Sequence, residues 1–347
     1  MRAPRSTMTL LFALLGGLAV AIATAAAQTE EVDPYLGIPV GGGPIDAGPV
    51  PAGIDAIDAA SCGACHEQHA REWAASAHRT AFTNAIFQAE FEPHRRPYCQ
   101  RCHAPRGEPS AGVDCAVCHV RDGAVLNPTI SGRAPHAGRV APLDGTLACA
   151  RCHDFAFESQ PDLGLQRTVQ EWVGSRHHDT LCQGCHMPRR GRARSHRFPG
   201  GLDPGLLEHA IRVEARAVSE GSRTRLTLTM STDAAGHAVP TGDIFRRLEV
   251  RAFAAEDNAA RPVVLARRFQ RAPAPHGGMQ RLQVGDDRLP ASGAPVEVEL
   301  FFLRPPVPPI RWEVAYQRMG PSEAAVFGVD LSADETIVAS GRIEPER

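Results

Sequence analysis

One five-residue pattern recurs five times between Cys62 and His186 and constrains the whole chain. It reads C-x-x-C followed directly by histidine, and it uses all ten cysteines of the 347 residues. In such a motif the two thiols bond to the vinyl groups of haem and the adjacent imidazole ligates the iron. The predicted attachment residues are Cys62, Cys65, Cys99, Cys102, Cys115, Cys118, Cys149, Cys152, Cys182 and Cys185. The predicted proximal ligands are His66, His103, His119, His153 and His186. The sequence therefore predicts five covalently attached haem c groups.

Paired cysteines also occur in zinc sites and, in exported proteins, as disulfides. Neither needs a histidine directly after the second cysteine, yet all five pairs have one although only 15 of 347 residues are histidine. Haem attachment is therefore favoured over both alternatives. Successive motifs start 37, 16, 34 and 33 residues apart (positions 62, 99, 115, 149 and 182). These gaps are too short for separately folded units, so we expect the haems to share one core.

Each iron of an electron-transfer haem usually carries a second axial ligand, histidine or methionine. The pattern E-W-x-x-S-x-H occurs twice, at 72–78 and 171–177, each time near a haem motif. Its final histidines are predicted as distal ligands, and three more histidines lie in loops where nothing else explains them. The predicted distal ligands are His78, His136, His177, His196 and His237. His94 and His178 remain as substitutes, whereas Met187 is expected to pack because its neighbour His186 already faces the iron.

The first 27 residues are typical of a signal peptide. Arg2 and Arg5 precede an apolar run over 10–23, and three alanines at 25–27 offer a cleavage site. The alternative, a retained membrane anchor, is disfavoured because the run is near the short end for a membrane span. Export to the periplasm or outer surface of a bacterium agrees with c-type haem, which is attached outside the cytoplasmic membrane. Residues 28–57, rich in proline and glycine, are predicted to be a flexible linker.

The remaining chain divides into two parts that differ in their residue pattern. Residues 58–205 hold the motifs in short helices and loops, and they are predicted to form a five-haem cytochrome c domain. Residues 206–347 contain no cysteine and show the alternation of half-buried strands. The predicted strands are 211–217, 223–230, 247–254, 262–269, 296–303, 310–316 and 336–343. The predicted fold is α+β with two domains, the second an antiparallel, immunoglobulin-like β-sandwich.

Charge excludes one class of partner. The net charge is −2, and loss of residues 1–27 with their two arginines makes it −2 − 2 = −4, which argues against nucleic-acid binding. The chain has no lysine, and all 37 basic residues are arginine. Guanidinium groups suit haem propionates, and the arginine run over 189–194 is interpreted as such a propionate contact or as solvated surface.

Several segments are similar to a known family. The segment 62–78, with its W-x-x-S-x-H continuation, the segments 112–119 and 185–188, and the loop 236–242 carry the similarity. Over residues 60–255 the chain resembles the multihaem c-type cytochrome family that includes the tetrahaem carrier of hydroxylamine oxidation. The resemblance implies electron transfer through bis-histidine haems in the periplasm or at the cell surface. Five motifs instead of four, and the added strands, mean that the family's partners do not carry over.

Three functional hypotheses follow. The favoured one is an electron carrier whose partners are redox proteins, either other cytochromes or a quinol-oxidising complex, with membrane association only if the N-terminal segment is retained. The alternative is a reductase of nitrite, hydroxylamine or a sulfur oxyanion, which needs one open haem site. The C-x-x-C-K motif of pentahaem nitrite reductases is absent, because the chain has no lysine. In the third hypothesis the β-sandwich is a docking module.

Overall fold

The computed structural model describes residues 45–346, apart from residues 94, 96, 129–133, 142, 144, 157–162, 192, 233, 256–257, 274–278, 304–305, 307 and 332–333. The predicted signal peptide and the predicted linker as far as residue 44 lie outside this part. The described residues belong to one compact unit. No helix within them has the length and apolar character needed to cross a membrane.

The described end of the predicted linker, residues 45–57, is packed rather than flexible. Ile45 and Ala47 are buried. The backbone N–H of Ile45 donates to the carbonyl of Pro105 at 3.0 Å, and the Ala52 carbonyl accepts from Ala137 at 2.8 Å. An irregular backbone can satisfy its hydrogen bonds on neighbouring loops as well as in a helix or strand. The prediction of a flexible linker is therefore wrong for this stretch, since composition alone did not reveal these partners.

Short helices carry the motifs in the haem-motif region, residues 58–205. They are α1 (Ala59–Gly63), α2 (Glu67–Ala74), α3 (Ala85–Phe91), α4 (Pro97–His103), α5 (Cys115–His119), α6 (Leu147–His153), α7 (Thr168–Val173) and α8 (Cys182–His186). Between them lie the strands β1 (Val120–Arg121), β2 (Ala124–Asn127), β3 (Gly138–Val140), β4 (Asp154–Phe155), β5 (Gln166–Arg167), β6 (Arg189–Arg190) and β7 (Ala193–Arg194). Helices α4, α5, α6 and α8 each end at a motif histidine, so the local fold sets the direction of that imidazole.

Side-chain caps fix where several of these helices begin. Asp58 accepts from the Ser61 N–H at 2.8 Å, Asn84 from the Ile86 N–H at 3.1 Å, and Asp114 from the Val117 N–H at 3.2 Å. Caps of this kind stabilise a helix start by about 1 kcal/mol. Helices this short are marginal on their own, so most of their stability must come from tertiary packing.

Two antiparallel sheets follow helix α9 (Pro204–Ala210). Their strands are β8 (Arg212–Glu220), β9 (Arg223–Ser231), β10 (Arg247–Ala255), β11 (Asn258–Ala259), β12 (Val263–Pro273), β13 (Met279–Asp286), β14 (Val296–Phe302), β15 (Ile310–Gln317) and β16 (Glu335–Ile343). The larger sheet has the order β13-β12-β10-β15-β16, with β11 paired to β10, and the smaller has the order β14-β9-β8. Helix α10 (Pro321–Phe327) lies between β15 and β16 in the chain.

Both sheets contribute to one hydrophobic core. Alternate residues of β9, such as Leu226 and Leu228, are fully buried with Phe302 of β14 and with Leu248 and Val250 of β10. This period of two is the alternation from which the strands were predicted. All seven predicted strands are present, and the α+β class is confirmed. The two-domain, immunoglobulin-like arrangement stays a prediction.

In the two sheets that follow α9, strands β11 and β13 were not predicted. Strand β13 contains the alternation of Leu282 and Val284 with polar residues, but both side chains are exposed at the sheet edge. Its last residues, Gly285 and Asp286, still pair with β12. An edge strand buries little, so its sequence carries a weak signal.

Hydrogen bonds join the sheets to the haem-motif region. The buried Arg267 of β12 donates to the backbone carbonyls of Leu163 and Leu165 at 2.9 and 3.0 Å. Arg318 donates to the Asn84 side-chain oxygen at 2.7 Å, next to α3. The sheets therefore hold the motif loops in place.

Candidate functional site

Four of the five motif histidines lie opposite a second histidine from elsewhere in the chain. The ring-centroid separations are 6.5 Å for His66 and His136, 6.1 Å for His119 and His196, 6.5 Å for His153 and His78, and 6.2 Å for His186 and His237. In each of these four pairs the second residue is one of the predicted distal ligands, and His66 also lies 6.2 Å from His69, which was not predicted as a ligand.

These separations fit one metal ion between each pair of rings. Two metal–imidazole bonds of about 2 Å, with each centroid about 1 Å behind its nitrogen, give about 6 Å between centroids. Among the described residues no group of three or more histidine, cysteine or acidic side chains converges as a metal site. Pairs of imidazoles suit a macrocycle that supplies the remaining ligands, and they do not suit the four-ligand zinc sites considered above.

Backbone carbonyls orient several of the rings. The Nδ1 atoms of His186 and His119 lie 2.6 Å from the Pro199 carbonyl oxygen and 3.2 Å from that of Leu126. The Nδ1 of His196 contacts the Arg194 carbonyl at 3.0 Å. A carbonyl only accepts, so each Nδ1 carries the proton and donates, which leaves Nε2 as the metal-binding atom. The same contact exists from His237 to Ala238 and from His103 to Ala81.

Burial keeps these imidazoles neutral near pH 7. It lowers the pKa of His153 to about 3, and it lowers the pKa values of His78 and His196 to about 4, with neighbouring histidines adding to each shift. The pKa of His237 is also lowered, again by burial first. Neutral imidazole is the form that ligates a metal, so these rings fit an iron-binding role.

His103 differs from the other motif histidines. Among the described residues its ring contact is with Phe87, stacked at 3.8 Å and 11°. The predicted ligand His177 lies elsewhere: its carbonyl accepts from the Trp172 indole at 3.1 Å, and its Cβ abuts Gly236. The assignment of His177 as a distal ligand stays a prediction.

The cysteines are free thiols, and sulfurs of different motifs meet. The thiols of Cys62 and Cys115, of Cys102 and Cys152, and of Cys149 and Cys182 lie close enough to shift one another's pKa. These contacts connect the first motif to the third, the second to the fourth, and the fourth to the fifth. The shared core predicted from the short motif spacing is consistent with this arrangement.

The first copy of the repeat is tightly held. The Trp73 indole donates to the Val113 carbonyl at 2.8 Å, and the Val113 N–H donates to the His78 carbonyl at 2.9 Å. Gly112 has φ +61°, and a Cβ there would lie 2.4 Å from the His78 carbonyl oxygen, so this position requires glycine. Together these contacts fix the backbone of His78 against the loop that precedes the third motif.

Both glutamates of the repeat are engaged away from solvent. Glu72 accepts from the His196 N–H at 2.7 Å. Burial opposes ionisation, but this bond and those from Gln68 and Ser195 lower the pKa of Glu72. Glu171 accepts from the Thr241 hydroxyl at 2.6 Å and from Arg288 at 2.7 Å.

These contacts and the Phe87–His103 stack were not predicted from the sequence. The glutamate of E-W-x-x-S-x-H occurs in both copies of the repeat, and this repetition was a signal from which the glutamate contacts could have been predicted. Nothing in the sequence marked Phe87 or Arg288, because each acts on residues distant in the chain.

A solved structure shares this fold. The penta-haem cytochrome c552 from Thermochromatium tepidum superposes with a TM-score of 0.69 at 19% identity, covering 83% of this chain and 99% of that one. The Mu homology domain of Danio rerio Fcho1 with bound Eps15 peptide aligns over 36% of this chain and 40% of its own at 13% identity and a TM-score of 0.18, which carries no argument. No family model and no curated protein matches the sequence. The chain thus has the fold of a penta-haem cytochrome.

Proposed function

We propose that this protein is an exported electron carrier that holds five covalently attached haem c groups, mostly with bis-histidine ligation. The motif cysteines would form the thioethers, and the motif histidines would be the proximal ligands. The distal ligand would be His136 for the first motif, His196 for the third, His78 for the fourth and His237 for the fifth. When bound, haem iron supplies reversible one-electron transfer.

The observation that carries the proposal is the set of four histidine pairs at 6.1 to 6.5 Å. Occupying both axial positions with protein ligands suits electron transfer, because no position is left for substrate. The proximity of thiols from different motifs supports it further, since it keeps the attachment points of the groups close together. The fold shared with a penta-haem cytochrome agrees with the count of five.

The haem count is tested by the mass of the purified protein. The wild type is expected to carry five haem masses, and the double variant Cys99→Ala/Cys102→Ala is expected to carry four. A wild-type mass with fewer than five would contradict the count. Electron paramagnetic resonance should then show at least four low-spin centres, and a wild type that is mainly high-spin would contradict bis-histidine ligation.

One observation favours the alternative, a reductase with a single open haem. His103 stacks on Phe87, and the other four motif histidines lie opposite histidines. An iron held by His103, with no histidine opposite it among the described residues, would accept a small ligand such as nitrite or hydroxylamine. The reserve ligand His94 lies outside the described residues.

A ligand titration separates the two functions. A carrier is expected to show no spectral change with cyanide or nitrite, whereas a reductase should show one high-spin centre that binds them. The variant Cys99→Ala/Cys102→Ala should abolish that change, and Cys62→Ala/Cys65→Ala serves as the matched control. Ligand binding that persists without the second motif would refute its assignment to His103.

Location and partners complete the proposal. The N-terminal sequence supports export to the periplasm or outer cell surface of a bacterium, with redox proteins as partners. In this setting the strand-rich region, proposed to be a β-sandwich, supplies His237 and thus contributes one of the proposed distal ligands. Expression with and without residues 1–27, followed by cell fractionation, tests the location, and full-length protein that stays in the cytoplasm would count against it.

A further inference from the structure

We infer that the glutamate of each E-W-x-x-S-x-H repeat is a positioning residue that fastens the loop carrying another motif's distal histidine. The inference rests on the proposed function, because it concerns ligands assigned there. It assigns to Glu72 and Glu171 a role of their own, separate from the role of the histidine at the end of the same repeat.

In the first copy the contact reaches the ligand residue itself. Glu72 lies on α2 with 9% of its surface exposed, and one carboxylate oxygen accepts from the His196 backbone N–H at 2.7 Å. The other oxygen accepts from the Gln68 amide at 3.2 Å. The ring of His196 lies 6.1 Å from that of His119, in the third motif. The carboxylate thus fixes the backbone from which the imidazole extends.

In the second copy the contact reaches the ligand loop a few residues later. Glu171 accepts from the Thr241 hydroxyl at 2.6 Å, four residues beyond His237. Its other oxygen accepts from Arg288, which also donates to the Pro240 carbonyl at 2.9 Å. The ring of His237 lies parallel to that of His186 within 13°, at 6.2 Å. In both copies, the glutamate of the repeat therefore accepts a hydrogen bond from the segment that carries a proposed distal histidine.

Physical chemistry gives each bond a specific effect. A hydrogen bond to a carboxylate is about twice as strong as one between neutral groups, so it holds a ligand loop firmly. A buried negative charge beside the segment that would hold a haem iron would favour the more positive, oxidised state of that iron. Loss of the acceptor should loosen the distal ligand, and loss of the charge alone should raise the reduction potential of that centre.

The first copy is tested with Glu72→Gln and Glu72→Ala in the full haem-loaded protein. Glutamine keeps an oxygen that accepts from the His196 N–H, so we expect the low-spin signal to survive while the potential of one centre rises. Alanine removes the acceptor, so one low-spin centre should become high-spin, and added imidazole should restore it. Glu67→Ala is the control, because Glu67 is an exposed residue on the same helix.

The second copy is tested with Thr241→Val and Thr241→Ser. Valine removes the hydroxyl and should convert one centre partly to high-spin, whereas serine should behave as wild type. Thermal unfolding of each variant measures stability separately from ligation. Unchanged spin states and potentials in Glu72→Ala and Thr241→Val would overturn the inference, and if Glu72→Ala does not fold, an unchanged potential in Glu72→Gln would do so.

Failure of this inference is distinguishable from failure of the proposed function. A wild type without low-spin centres would refute the proposed function itself. If the wild type has low-spin centres but the variants leave its spin states and potentials unchanged, only the positioning role is refuted.

Discussion

Substitution of Arg288 tests how the sheets hold the loop 236–242, which carries the proposed distal ligand His237. Its side chain is 5% exposed and donates to Glu171 at 2.7 Å, to the Pro240 carbonyl at 2.9 Å, and to Asp286 at 2.7 and 2.8 Å. Burial alone would lower the pKa of Arg288, but Asp286 and Glu171 raise it above its ordinary value. The guanidinium is therefore charged at every accessible pH.

Replacing Arg288 with leucine leaves two carboxylates without their cation. Removing one partner of a buried ion pair costs about 3–5 kcal/mol, and we expect a loss of this size in the free energy of unfolding. The control is Arg268→Leu on the neighbouring strand. Arg268 pairs with Asp287, but the two side chains are 59% and 39% exposed, so the loss should stay below about 1 kcal/mol.

Urea unfolding of the haem-loaded protein, followed by far-ultraviolet circular dichroism, measures both losses. A double-mutant cycle that combines Arg288→Leu with Asp286→Asn measures the coupling energy between the Arg288 and Asp286 side chains. Equal losses for Arg288→Leu and Arg268→Leu would refute the claim that burial makes this network important.

Three further predictions concern other parts of the molecule. Burial, with a contribution from Asp243, raises the pKa of Glu90 to about 7 against 4.5, so the folded state favours its protonated form and loses stability as the pH rises from about 4.5 to about 7. Glu90→Gln should therefore stabilise the protein at pH 8 by up to about 3 kcal/mol and have little effect at pH 4, and equal effects at both pH values in urea unfolding would contradict the shift. His237→Ala should produce one high-spin centre that added imidazole returns to low-spin, whereas the exposed His209→Ala should not, and resonance spectra that match for the two variants would contradict the assignment. Phe302→Ala should cost about 3–5 kcal/mol because Phe302 is fully buried, and the loss for its neighbour Phe301→Ala, 42% exposed, should be clearly smaller in the same unfolding assay.

Prediction from sequence is strongest where the signal is local. Thioether attachment needs two thiols and an imidazole within five residues, so the motif is complete in the sequence itself. The strands were predictable for a similar reason, because a half-buried strand alternates apolar and polar residues within one short segment. Strand β13 was not predicted, because its apolar residues Leu282 and Val284 face solvent at the sheet edge.

The packing of residues 45–57 was not predictable. Proline and glycine indicate an irregular backbone, but they do not show whether that backbone finds hydrogen-bond partners. Here the Ile45 N–H bonds to the Pro105 carbonyl, 60 residues away, and only the folded chain brings the two together.

From the sequence alone the attachment motifs and five candidate distal histidines could be predicted, and four of these histidines lie opposite motif histidines in the structure. Tertiary structure decided the pairing, because His78 lies close in sequence to the first motif and yet stands opposite His153 of the fourth. It also placed Phe87 against His103 and joined Glu72 to the His196 backbone across 124 residues. Covalent attachment depends on neighbours along the chain, whereas axial pairing depends on loops that meet only when the sheets and short helices have packed.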